Sequence, residues 1–258
     1  MSEKFQDLRA SGSARLSGGR YRDVDVSGSA HITGDVECDN FSVSGSARVA
    51  GGVTCARFKA SGSARVEDGV RAEEMRVSGS AVVDGNVDAG ELHSSGSFST
   101  EGDATVRGEV QASGSAGFGG ALKARAIRAS GNLRVNRGIE CETLAIQGVF
   151  DVDGLINAGV ADIELVGQSH LDEIGGERIT IRRRAGFSVL GFQSPCLTGS
   201  LDAGVIEATS VYLEATRAKV VRGEEVSIGS GCEIDRVEYS KDLTVAEDSV
   251  VRERVRVE

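Results

Sequence analysis

The chain repeats itself, with a period too short for most folds. Ser-Gly-Ser-Ala begins at Ser11, Ser27, Ser44, Ser61, Ser78 and Ser113, with Ser95-Gly96-Ser97-Phe98 between the last two. The pattern decays through Ser130-Gly131-Asn132-Leu133 to Gln147-Gly148-Val149-Phe150. Successive starts lie 16, 17, 17, 17, 17, 18, 17 and 17 residues apart. Helical arrays need about 33–34 residues per unit, so a pair of helices does not fit in one period.

Inside each repeat the apolar residues come in pairs. Counted from the first serine, positions 4 and 6 hold Ala47 and Val49, then Ala64 and Val66; positions 10 and 12 hold Val36 and Cys38, then Val53 and Cys55. Positions 15 and 17 follow with Phe41 and Val43, then Phe58 and Ala60. The residue between each pair is usually polar, as at Arg48, Glu37 and Lys59. Alternation of this kind puts both apolar side chains on one face of a strand. Three such strands per repeat predict an all-β fold, a three-sided parallel β-helix of about 17 residues per turn and roughly 14 to 15 turns.

The corners account for the glycines. Ser-Gly-Ser marks one bend, and Gly34, Gly51, Gly85, Gly102, Gly120 and Gly154 mark a second, where positive φ or a tight approach favours a residue without Cβ. Extra residues are expected at bends: among Arg107, Gly108 and Glu109 in one repeat, and near Gly159 in the repeat that begins at Gln147. Three parts are expected along the chain: regular repeats over 1–171, an irregular segment or joint over 172–200, and C-terminal turns over 201–258.

Composition narrows the function classes. Of 258 residues, 35 are glycine and one, Pro195, is proline, which excludes a collagen-like chain. Hydrophobic content of 40% argues against disorder, and aromatic content of 4% against a thick globular core. A net charge of -10 leaves no basic surplus for phosphates, so no nucleic-acid partner is expected. No stretch approaches the ~20 apolar residues of a membrane span, and Met1-Ser2-Glu3-Lys4-Phe5 runs on into polar sequence. A soluble, cytoplasmic protein is the expectation. Cys38, Cys55, Cys141, Cys196 and Cys232 form an odd set without CxxC spacing, which fits reduced thiols better than disulfides or a zinc site. Cys38 and Cys55 share position 12 in adjacent turns and are read as two buried free thiols.

No catalytic, cofactor-binding or metal site can be assembled. His31 falls on the first face and His93 on the third, about four turns apart, and His170 opens the irregular stretch. Left-handed β-helical acyltransferases have a six-residue repeat with one inward residue per side, unlike the paired inward residues here. A Thr-x-Thr array for ice binding and a Gly-Gly-x-Gly-x-Asp repeat for calcium are both missing. Arg182, Arg183 and Arg184 read as a solvated strand end.

The ends of a stacked solenoid pose a different problem, since an end turn exposes unpaired backbone groups and the cross-section of the core. Phe5, Leu8 and Leu16 at one end, and Val250, Val251, Val255 and Val257 at the other, are therefore candidate polymer-interface residues. Such ends invite stacking of one copy on another without any nucleotide.

The Ser-Gly-Ser-Ala series, the phrases Ile32-Thr33-Gly34-Asp35-Val36-Glu37-Cys38 and Val49-Ala50-Gly51-Gly52-Val53-Thr54-Cys55, and the closing Cys232-Glu233-Ile234-Asp235-Arg236-Val237-Glu238-Tyr239 resemble the bactofilins, bacterial polymer-forming cytoskeletal proteins, in the long form found in Bacillus-type bacteria. The resemblance implies a right-handed helix and nucleotide-free filaments joined head-to-head and tail-to-tail. It implies scaffolding of cell shape, envelope or motility machinery, with other bactofilins or envelope proteins as partners beside the homopolymer. It also implies a place in the cytoplasm, at the inner face of the membrane, with membrane attachment left open because Phe5 alone matches the short hydrophobic N-terminal stretch of some members. The chain departs from typical members in having about twice their turns and no proline-containing tails. The main rival reading is a monomeric binding module that presents a side face, such as that of Arg48 and Arg65, to a protein or cell-wall polymer. A sugar-active β-helical enzyme comes third, disfavoured by narrow turns without a cleft.

Overall fold

A computed structural model describes residues 6–184, 188–189, 192–193 and 199–257. Among these, every regular element is a β-strand, and strands of successive turns pair in parallel, about 17 residues apart as the repeat predicts, except that Gln168 pairs with Ser200, 32 residues on. The chain is a parallel β-solenoid that divides into two compact units, Met1–Arg125 and Ala126–Glu258.

In the first unit the apolar positions become continuous columns. Leu8, Val24, Phe41, Phe58, Met75, Leu92 and Val110 follow one another in register, one per turn. Beside the Ser-Gly-Ser corner run Ala14, Ala30, Ala47, Ala64 and Ala81, next to Leu16, Ile32, Val49, Val66 and Val83. The third side carries Val36, Val53, Val70 and Val87 with Cys38, Cys55, Ala72 and Ala89. Phe41 and Phe58 stack with ring centroids 5.3 Å apart and planes 9° apart, since in-register parallel strands place like residues one above another. Thr100 takes a core position, and its hydroxyl donates to the Gly85 carbonyl at 2.6 Å.

The glycine corner owes its sequence to crowding. Gly62 sits so close to the turn below that a Cβ there would lie 2.0 Å from the Gly45 carbonyl oxygen, and Gly45 stands in the same relation to Gly28. Gly34 at the second corner instead has a φ of 87° with open space around it. Acidic and amide side chains finish that second corner: Asp35 accepts the Gly52 N–H at 2.8 Å, and Asn86 accepts the Asp103 N–H at 2.9 Å. The extra residue expected near Gly108 is there. Ala89 pairs with Val106 but Leu92 with Val110, so the step grows from 17 to 18 across a bulge.

The second unit corrects two expectations. Residues 172–183 are not irregular: Gln168–Arg183 is a strand paired with Ile139–Leu165 below and Ser200–Leu213 above. Its inward positions are Ser169, Leu171, Ile174, Ile179 and Ile181, all buried, and a serine in the first of these broke the apolar pairing that marks earlier turns. Further on, Ser188–Val189 pairs antiparallel with Phe192–Gln193, while Pro195 and Cys196 lie outside the described residues. The extra residues of the repeat from Gln147 are not near Gly159, which still lies over Glu142, 17 positions back. Val152 already pairs with Leu171, a step of 19, so they enter at the Val166–Gly167 corner.

Candidate interaction surfaces

The predicted interface residues occupy the first and last described turns of their units. Leu8 and Leu16 are half-buried and continue the Val24 and Ile32 columns on two different sides. Together with Ala10 and Ala14 they make the first turn apolar at the inward positions of two sides; Phe5 lies outside the described residues.

At the C-terminal unit the four valines separate. Val251 is in register with the buried Ile234 and extends a core column. Val250 lies over Glu233 on the outer surface, 54% exposed, and Val255 lies over Glu238, also an outward position. Val257 donates its N–H to the Tyr239 carbonyl at 2.8 Å and is 42% exposed. Arg254 and Arg256 stand over Val237 and Tyr239. Register thus puts Val255 on the outward face and Arg254 on the inward one, since a one-residue step exchanges the two faces of a strand. The half-buried Leu243 and Val245 extend the Val226 and Ile228 columns and belong to the same end, which the apolar-x-apolar pattern could have indicated.

Outside the core, each unit carries charged columns. In the first unit Arg15, His31, Arg48 and Arg65 follow one another in register on the Ser-Gly-Ser-Ala side. Arg48 pairs with Glu67, and Arg65 contacts Asp84 at 2.9 Å, so each arginine reaches an acid two positions along in the next turn. In the second unit the column reads Arg134, Asp151, His170, Asp202, Arg217, Glu233, with signs that alternate if the histidine is protonated. Arg134 bonds Asp151 at 2.8 Å and His170 lies 3.5 Å from Asp172. The Gly154 N–H and then His170 hold the Asp172 carboxyl below its ordinary value. This column lines an open groove of about 660 Å³ with Val149 and Phe150.

Cys38 and Cys55 are in register, buried and unbridged. Contact with Cys38, together with burial, pushes the Cys55 thiol far up, which makes it a poor nucleophile. His31 and His93 lie on different sides of the first unit, each in its own column. Among the described residues no group of three or more His, Cys, Asp or Glu is placed to hold a metal ion, and no helix is long and apolar enough to cross a membrane.

Two curated relatives match part of the chain. It is 43% identical over 105 residues to the uncharacterized protein YhbF of Bacillus subtilis (strain 168), a match that covers 40% of this chain and 42% of the relative. It is 40% identical over 96 residues to the uncharacterized protein YhbE of the same organism, covering 36% of this chain and 39% of that protein. The chain thus spans about two fifths of the length of the relatives it matches. No family model matches, and no solved structure matches.

Proposed function

We propose that the protein is a non-enzymatic cytoskeletal scaffold that polymerises without nucleotide by stacking end turn on end turn, in support of cell shape, envelope or motility machinery. The observation that carries this reading is the continuity of the columns. Every turn is held by pairing with an equivalent turn one strand spacing away, and the first described turn offers Leu8, Ala10, Ala14 and Leu16 to a further turn. At the other unit Val251, Leu243 and Val245 do the same on two of three sides. The bactofilin resemblance of the Ser-Gly-Ser-Ala series and of Cys232 to Tyr239 supports the same reading. It extends to self-association, to bactofilin or envelope partners, and to a cytoplasmic place near the membrane. Negative-stain electron microscopy of dilute and concentrated protein without nucleotide tests it: thin filaments are expected.

A second reading, a binding module that uses a side face, draws on the charged groove from Arg134 to Glu233. Separate particles at every concentration would favour it over polymerisation.

A further inference from the structure

The Ser-Gly-Ser-Ala side of the first unit is electrically lopsided. Arginines occupy its early turns: Arg15, Arg48 and Arg65 stand with His31 in one outward column, which continues as Val82 and Ser99. The column two positions along has the opposite trend. Starting from Ser17 and Thr33 it reads Ala50, Glu67, Asp84 and Glu101, each of these last four donating its N–H to the preceding turn at 2.8 to 3.0 Å. The Arg48–Glu67 and Arg65–Asp84 pairs neutralise the middle. Arg15 and His31 have Thr33 and Ala50 where the acids would be, and Glu101 faces Val82 where the arginine would be. Cation is left at one edge of the face and anion at the other, five turns apart.

We infer that this side is a contact between two copies of the chain, face to face with solenoid axes antiparallel. A two-fold axis along the strands, midway between the Arg48 and Arg65 turns, brings each copy's Arg15 opposite the other's Ser99 and Glu101. The same operation sets His31 opposite Val82, Thr33 opposite Asp84, Ala50 opposite Glu67, and Arg48 opposite Arg65, each of these two arginines being held by an acid of its own copy. At the two edges of the contact Arg15 meets the small Ser99 with the Glu101 carboxylate beside it. A parallel arrangement would set Arg15 against Arg15. Six turns at about 4.8 Å and five residues per strand at about 3.3 Å give roughly 475 Å² per copy, or about 950 Å² in all. That is small for a stable dimer, so the contact is weak, salt-sensitive and strongest when many copies are aligned. It uses a side of the solenoid and does not depend on stacking at the ends.

Two variants of the full chain test it, Arg15→Glu and Glu101→Arg. Both positions are exposed and outside the core, so the thermal melt of each should match the unchanged protein. Each variant alone sets like charge against like charge at both symmetric contacts. An equimolar mixture restores opposite charge at both, because the glutamate introduced at position 15 of one copy meets the arginine introduced at position 101 of the other. In sedimentation velocity at about 50 mM salt, each variant should self-associate at least about tenfold more weakly than the unchanged protein, while the mixture regains it. Raising salt to about 500 mM should remove the differences. Where end-to-end filaments form, they should be paired in the unchanged protein and the mixture, and single in each variant. Variants that sediment as the unchanged protein, or a mixture as weak as its components, would overturn the inference.

Discussion

Arg254 stands in register with Val237, at the position where the column of Ile156, Ile174, Ile206 and Val221 would receive its next apolar side chain. A copy stacking there must desolvate a guanidinium, which is costly unless a carboxylate meets it. Arg254→Leu should therefore lower the concentration needed for end-to-end assembly several-fold in a pelleting assay. Val251→Arg should raise it by at least about tenfold, since Val251 extends the Ile234 column into the contact. Val255→Arg should change it little, because Val255 lies over Glu238 on the outside. Equal effects of Val251→Arg and Val255→Arg would refute the assignment of faces.

The stacked pair Phe41 and Phe58 sets the core of the first unit. Both rings are fully buried, so Phe58→Ala should cost about 3–5 kcal/mol, read as a drop in the urea midpoint. Arg57, whose guanidinium only bonds the Asn40 side chain at the surface, should cost under about 1 kcal/mol when changed to Ala. Similar midpoints for the two variants would show that this column does not limit stability.

Glycines of one motif should differ by turn. Gly62→Ala forces a Cβ against the Gly45 carbonyl oxygen and the Ser44 backbone, with no flexible side chain to yield. Gly12 belongs to the same motif one stack position earlier than Gly28, and a Cβ there meets nothing within 4 Å. Gly62→Ala should therefore lower the melting temperature by several degrees, a loss of ~2 kcal/mol or more, while Gly12→Ala stays within about 0.5 kcal/mol. Crowding rather than backbone freedom is the cause if the two separate.

These contrasts show what the repeat made legible and what it did not. Period and alternation were enough for the fold, because each inward pair packs on its own equivalents one turn away: Ala47 on Ala30, Val53 on Val36. They also located the bulge at Gly108. They failed where the inward residue is polar, as at Ser169, since a serine in a core position satisfies itself by accepting the Phe150 N–H and leaves no apolar mark in the sequence. At Val255 alternation fixes that two faces exist, but only cross-strand register decides which residue takes which. Charge compensation was out of reach for a similar reason: the Arg48–Glu67 pair is 19 residues apart, one turn plus two positions, and neither residue is unusual alone.

Acid should loosen the last turns of the second unit. Arg222, and with it Arg236, holds the Glu238 carboxyl below its ordinary value of 4.5. A carboxyl with a depressed folded value stabilises the fold above its unfolded value and loses that contribution as pH falls through the folded one. Melting temperature should therefore fall with pH below about 4.5, and Glu238→Gln should flatten that fall while lowering stability at neutral pH. Parallel pH profiles for the two proteins would mean that the pairing of Glu238 with Arg222 and Arg236 is not linked to folding.

Thiol reactivity gives a last test of the core columns. Cys38, Cys55 and Cys232 are at most 8% exposed, and burial with the Cys38 contact keeps Cys55 protonated. Burial pushes the half-exposed Cys141 up to about 11. Without burial the thiol would ionise near 9.0, so Cys141 has roughly a hundredfold less thiolate near neutrality, and reaction rate follows thiolate. In native protein treated with iodoacetamide, Cys141 should label slowly, and Cys38, Cys55 and Cys232 only as fast as the turns open. In urea all four should label at the rate of free cysteine. Mass spectrometry of the peptides resolves each site. Fast native labelling of Cys55, or a Cys38–Cys55 bridge in freshly purified reduced protein, would contradict the stacked free thiols. The expected order, Cys141 first and the adjacent Cys38 and Cys55 together, would show that neighbouring turns open as one unit, as nearest-neighbour stacking requires.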